Sequence, residues 1–282
     1  MIARRRISGF IKHTFILFFG FIMIYPLLWM FSSSFKETGT IFSTAAELIP
    51  RYFTLENYVT GWRSGVAGTN FGMFFRNSAI IAVSATVGTV LSSALVGYSF
   101  SRGRFPGRNV LFVAMLATLM LPPQILMIPQ YLWFNSLGWV DTYAPLIVPF
   151  FFAITGFFIF LIKNFIDGIP RELDEAAKID GCSFYSIFGR VIFPLTVPAL
   201  ITASLFSFIW RWDDFLGPLL YLNRVARFPA SLALRMFTDP GAITDWGALF
   251  AMSTLSLVPT VLIFIFFQKY LVDGISTSGL KG

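Results

Sequence analysis

The sequence predicts an all-α membrane protein with six transmembrane helices. Hydrophobic residues make up 56% of the chain, charged residues only 12%, and six long apolar stretches contain no Asp, Glu, Lys, Arg or His. A soluble domain carries about 25% charged residues, and 35 Phe with 7 Trp exceed what a soluble fold of this size can hide from water. Lipid must therefore act as a solvent for much of the chain. A spanning helix needs about 20 apolar residues, because the hydrocarbon core is about 30 Å thick and each residue rises about 1.5 Å. The qualifying stretches lie near Thr14–Ser34, Asn77–Phe100, Asn109–Tyr131, Ala144–Ile162, Val191–Trp210 and Trp246–Phe267. The first follows Arg4, Arg5 and Arg6 as a signal peptide would. Its apolar run Phe15–Phe31 is longer than a signal core, and no small-x-small site follows it, so it is expected to remain as an anchor.

Orientation follows from Lys and Arg, which accumulate on the cytoplasmic side. With the N-terminus inside, the inner segments hold Arg4, Arg5, Arg6, Lys12, Arg102, Arg104, Arg108, Lys163, Arg171, Lys178, Arg190, Lys269 and Lys281, thirteen of the 21 basic residues. The short basic loop Arg102–Arg108 is the cleanest marker. Six spans return the C-terminus to the cytoplasm, giving an N-terminal segment 1–13, a membrane domain 14–270 with an inner loop 167–190, and a tail 271–282. The outer loops 35–76 and 211–245 are longer than a bare connection needs, which makes them candidate contact surfaces.

The formal net charge of +7 is dispersed among loops rather than gathered on one face with aromatics, so nucleic-acid binding is not expected. One cysteine, Cys182, excludes an intramolecular disulfide and a cysteine-based metal cage; with one histidine, His13, and no acid within the spans, little is left for the metal or general-base chemistry of a membrane-embedded enzyme. No Gly-Lys dipeptide occurs, which removes the usual phosphate-cradling loop. Uncharged spans remove the usual proton relay. Energy for any transport must come from a partner.

The inner loop contains IPRELDEAAKIDGCSFYSIFGRVIFP. Pro170 suits a first helical turn, and Glu172, Asp174 and Glu175 follow where the helix dipole favours acids. Gly181 is a natural stop. A helix of about three turns is expected, with Leu173, Ala176, Ala177 and Asp180 at i, i+3, i+4, i+7 spacing forming one face whose two alanines allow a partner to approach closely. An ordinary amphipathic connector explains the acids and the stop. It does not explain the paired alanines or their distance from Pro194.

Glu175-Ala176-Ala177, three residues, Gly181, nine residues and Val191-Ile192-Phe193-Pro194 resemble the coupling-loop signature of bacterial ABC importer permeases, with Val191 and Phe193 as conservative replacements in its terminal Ile-x-Leu-Pro. Phe53-Thr54-Leu55-Glu56-Asn57-Tyr58, then Trp212-Asp213-Asp214-Phe215 with Pro218-Leu219, and the terminal GISTSGLKG are similar to the maltose-type carbohydrate permeases, which often carry Asn at the position of Asp213. The resemblance implies a type I ABC importer permease fold in a bacterial inner membrane and half of a sugar pore. The partners it implies are a second permease subunit, an ABC ATPase dimer that binds ATP and Mg, and an extracytoplasmic sugar-binding protein; this chain itself would hold no cofactor. Leu173, Glu175, Ala176, Ala177, Asp180 and Gly181 would form the ATPase-coupling element. Loop 211–245 would meet the binding protein, and the tail Gly274–Gly282 would reach towards the ATPase.

A neutral sugar needs a path lined by uncharged polar and aromatic side chains. Candidates are Asn77 and Ser78, Gln124, Trp210, Trp212 and Asp213, with Ser84, Ser92, Ser93 and Gln130 as further members. Helix packing is an alternative role for the serines, a proline-broken helix at Pro122-Pro123 for Gln124, and an interfacial belt for the tryptophans. The alternative to the whole reading is a stand-alone secondary transporter or facilitator for a neutral solute.

Overall fold

The structure is a computed structural model that describes residues 2–64, 69–238 and 244–279, with side chains over 12–64, 69–238 and 244–269. Among the described residues all regular structure is helical. Lys12–Ser33, Phe71–Arg102, Ala144–Asp167 and Trp246–Lys269 are long and apolar enough to cross a membrane. The other two expected spans are not straight. Arg108–Thr118 meets Pro123–Ser136 at 97°, and Phe184–Leu195 meets Val197–Trp212 at 75°.

Each break has a local cause. Pro122 is extended, with ψ 125, because the ring of Pro123 disfavours helical geometry in the residue before it. The stretch expected as one span over Asn109–Tyr131 is therefore two short helices joined at an angle. In the second case Phe188–Ile192 is a π-turn that ends two residues before Pro194, whose missing N–H and ring leave an α-helical ladder incomplete. The helix that follows begins at Val197, so residues 191–196 of the expected fifth span belong to the bent lead-in.

The chain forms two compact units, Met1–Gly72 with Ala233–Val258, and Met73–Leu232 with Pro259–Gly282. In the first unit, the side chains of span Lys12–Ser33 are largely exposed and apolar, as a lipid-facing helix requires. Its C-terminal end is tied down by the Phe53–Tyr58 motif. Asn57 donates from Nδ2 to the carbonyls of Ser34 (2.9 Å) and Lys36 (2.7 Å), which lie just past the helix end. Tyr58 and Ser34 share a hydroxyl contact of 2.7 Å, and Phe53 stacks on Phe35 with centroids 4.6 Å apart. A Cβ at Gly247 would run into Asn57 and Thr38, so the last span comes close to this knot because position 247 lacks a side chain.

In the second unit, helix Phe71–Arg102 is the central post. Val83, Val87, Leu91 and Leu95 form an exposed apolar stripe at i, i+4 spacing, while Ala82, Ala85, Ala94 and Tyr98 are buried. A Cβ at Gly97 would lie 3.2 Å from the Lys163 nitrogen and 3.3 Å from the Ile159 carbonyl. The helix Gly156–Asp167 is thus within backbone reach, the small-residue contact that brings helices together in membranes. Ser92 donates to the Phe150 carbonyl at 3.0 Å, a packing role.

Candidate functional site

The inner-loop helix runs over Glu172–Ile179, shorter than the three turns expected and starting after Pro170 rather than on it. Arg171 occupies the N-cap without a side-chain bond. The acids Glu172, Asp174 and Glu175 in the first turn and Lys178 in the last complement the helix dipole. Its end is a Schellman turn: Cys182 N–H donates to the Ala177 carbonyl (2.9 Å) and Gly181 N–H to that of Lys178 (3.0 Å). Gly181 has φ +79, and a Cβ there would meet nothing within 4 Å. Glycine is needed for backbone conformation, not for room.

The face expected from spacing divides. Ala177 is buried in a core cluster with Tyr98, Ile162, Ile166, Ile187 and Ile192, whereas Ala176 is exposed together with Leu173, Glu175 and Asp180. The paired alanines do not form one outward patch, because about 100° separates consecutive residues of a helix and the wall formed by the neighbouring helices falls between them. Ile179, two residues on from Ala177, is 87% exposed.

Asp174 shares the inward side with Ala177. Its carboxylate lies 2.9 Å from Arg102 Nε at the end of the central post, and the two side chains are only 8% and 6% exposed. The contact is an ion pair rather than an aligned hydrogen bond. Arg102 Nη2 also donates to the Ile169 carbonyl at 2.6 Å in the lead-in to the helix. One turn earlier, Tyr98 hydroxyl donates to the Phe184 carbonyl (3.1 Å), and Ser101, next to Arg102, donates to Asp167 (2.5 Å). Four ties from one helical turn and a half hold the inner loop on both sides of Glu172–Ile179. Sequence reasoning missed this clamp, since Arg102 read as a topology marker and Asp174 as a dipole acid. The available signal was the i, i+3 relation of Asp174 to Ala177, which places an acid on a buried side.

The expected path residues separate as well. Asn77 and Ser78 are 1% and 2% exposed and do not line a passage. Asn77 donates from Nδ2 to the carbonyls of Ala226 (2.9 Å) and Phe228 (3.0 Å), and Ser78 Oγ accepts from Ala230 N–H (2.8 Å). They staple an irregular segment whose backbone would otherwise be unpaired. Trp212 is also buried, packed on Phe208 and Phe75. Trp210, about 200° around the helix from it, is 42% exposed. Asp213 is exposed at the helix end.

Gln124 and Trp210 do come together, on the wall of a cavity of about 310 Å³ that also takes in Gln130, Arg211, Asp214 and Tyr221. Beside it, Asp141 organises the connection 223–227. With φ 60, it accepts from the amides of Asn223 and Arg224 (3.1 Å each) and pairs with Arg224 (2.9 Å) and Arg227 (3.1 Å). Burial raises its carboxyl, but the two amides and two guanidinium groups outweigh that and leave it below the ordinary carboxylate value. Among the described residues no group of His, Cys, Asp and Glu could hold a metal ion. The helix backbone continues into the expected tail 271–282 as far as Gly279, and 280–282 lie outside the described residues.

The chain is 34% identical over 268 residues to the arabinooligosaccharides transport system permease protein AraQ of Halalkalibacterium halodurans, covering 94% of each chain. It is 33% identical over 263 residues to the trehalose/maltose transport system permease protein MalG of Thermococcus litoralis, covering 93% of this chain and 92% of that one. In fold it superposes on a chain of a bacterial ABC transporter involved in the import of the acidic polysaccharide alginate, with a TM-score of 0.83 at 22% identity, covering 94% and 96% of the two chains. Residues 88–277 match the family described as binding-protein-dependent transport system inner membrane component, and the chain belongs to that family, as a membrane-embedded permease subunit of an ABC importer and not an enzyme.

Proposed function

We propose that this chain forms half of the translocation pore of an ATP-driven, binding-protein-dependent oligosaccharide importer, and that the Arg102–Asp174 clamp makes the inner-loop helix a rigid extension of the central post. The clamp is the observation that carries the mechanism. A motor subunit pressing on Glu172–Ile179 moves whatever that helix is fastened to, and here the fastening is a buried ion pair, two flanking bonds to loop carbonyls and the Ala177 core contact. Leu173, Glu175, Ala176 and Asp180 remain exposed for the ATPase dimer, which binds ATP and Mg. Ala177 acts from inside, by seating the helix, and Gly181 turns the chain back. With termini and inner loop cytoplasmic, as the basic residues favour, the stapled segment 223–230 lies outside, where a sugar-binding protein docks. A second permease subunit completes the pore.

Switching a two-state pore from 1:99 to 99:1 needs about 5.5 kcal/mol of differential binding. A lever can deliver that only if it does not yield first. The sugar assignment is supported by the relatives that carry arabinooligosaccharides and trehalose or maltose. Reconstitution of the assembled importer in vesicles tests the reading: uptake of a neutral oligosaccharide should require ATP, the ATPase and the binding protein. Uptake by this chain without an ATPase would establish a stand-alone transporter instead.

A further inference from the structure

The cavity of about 310 Å³ in the second unit has a wall whose polar groups are unused. Among the described residues, Gln124 and Gln130 make no side-chain hydrogen bond, and neither do the N–H donors of Arg211, the Trp210 indole N–H or the Tyr221 hydroxyl. Tyr221 is buried and Arg211 half-buried, while Gln124, Gln130 and Trp210 are exposed; polar groups that converge on a cavity in this way suit a ligand that both donates and accepts. The arrangement is built rather than accidental. The Arg211 guanidinium sits 4.5 Å from the centre of the Phe150 ring, and Asp214 Oδ1 accepts from Gly217 N–H at 3.1 Å. Asp214 Oδ2 lies 3.7 Å from Arg211 Nη1, too far for a hydrogen bond and close enough to cancel the charge.

Two features of chemistry narrow the ligand. Donors and acceptors beside the partly exposed ring of Trp210 match a sugar ring, whose hydroxyls do both and whose C–H face packs on aromatics. Among the described residues, Arg211 and Asp214 are the only acidic or basic ones on the wall, so its formal charge is zero and a carboxylate would meet Asp214 as well as Arg211. Resting on the sugar-pore reading above, we propose that this cavity is a subsite for one uncharged sugar unit of the passing oligosaccharide, with Asp214 excluding acidic sugars. The volume is at the small end of the about 300–1,000 Å³ typical of ligand pockets, which fits a single unit.

Cys182 is the only cysteine of the chain, so C182S with Q130C gives one reporter thiol on the wall, whose maleimide modification in the assembled importer is read by mass on this chain. The probes are maltotriose, cellotriose, xylotriose and chitotriose, with trigalacturonate as the acidic counterpart; I49C, on an exposed outer loop, is the control. The neutral sugar that the importer takes up best should slow modification at Q130C severalfold and leave I49C unchanged, while trigalacturonate should do neither. Adding D214N, which keeps an acceptor for Gly217 but leaves Arg211 uncompensated, should let trigalacturonate protect. Uptake of a neutral sugar without protection of Q130C overturns the subsite and leaves the importer reading intact; equal protection by trigalacturonate before D214N is added overturns the charge selection. Failure to take up any sugar counts against the importer reading and the subsite together.

Discussion

The two ends of helix Phe71–Arg102 fasten different kinds of segment, one a helix and the other an irregular loop. At the Arg102 end, the helix Glu172–Ile179 is held through its side chains, by the buried ion pair of Asp174 and by Ala177 in the core, and only its flanks are held through carbonyls, those of Ile169 and Phe184. At the Asn77 end, the loop is held through its backbone: Asn77 and Ser78 bond three peptide groups, and Asp141 bonds two more. A helix can be gripped by its side chains because its own peptide groups are already paired. An irregular segment must have its peptide groups satisfied first. The first arrangement suits a lever that keeps its shape under load, the second a shaped surface presented to a partner.

The largest expected effect comes from opening the ion pair. Asp174→Ala leaves Arg102 buried and uncompensated, at a cost of about 3–5 kcal/mol. It should sharply lower ATP-driven uptake and the melting temperature of the purified complex, and the exchanged pair R102D/D174R should recover part of both. If D174A transports and melts like the wild type, the lever does not depend on this pair. Asn77→Ala strands two carbonyls at about 1–3 kcal/mol each. Binding-protein stimulation of ATP hydrolysis should fall while recovery of the ATPase with the permease stays normal; loss of ATPase association instead would erase the contrast between the ends.

Gly181→Ala should be milder, about 1–2 kcal/mol for a left-handed non-glycine residue, because no neighbour obstructs a methyl group there. Weaker retention of the ATPase on purification is the expected result, with G181N closer to wild type. A larger loss from the small Ala than from a bulkier Asn would fit conformation; a loss that follows side-chain size would point to a steric contact with the partner. The smallest effect is at Asp141, whose partner Arg224 is 72% exposed and whose pairs are screened accordingly. Its folded carboxyl lies below the unfolded value of about 3.9, so its stabilisation is complete above that pH and disappears as pH falls through the lower, folded value. Amide exchange at 223–227, corrected for intrinsic rates, should lose protection only in that acid window, and D141N should remove the transition.

Composition alone was enough to establish a membrane-embedded helical chain, because apolar runs without charge have one stable environment. Four of the six spans fall within six residues of their expected ends for the same reason, and the inner-loop helix was marked by its acids and by Gly181, whose left-handed turn is a local property. Tertiary structure alone decided which alanine faces inward, that Asn77 and Ser78 are staples, and that Arg102 belongs with Asp174. Helical spacing reports which residues share a side, but not what stands opposite, and a polar side chain in an apolar run looks the same whether it meets cargo or a stranded carbonyl. The bends at Pro122-Pro123 and before Val197 fall between these cases: the prolines announce that a break is tolerated, and the neighbouring helices set the angle.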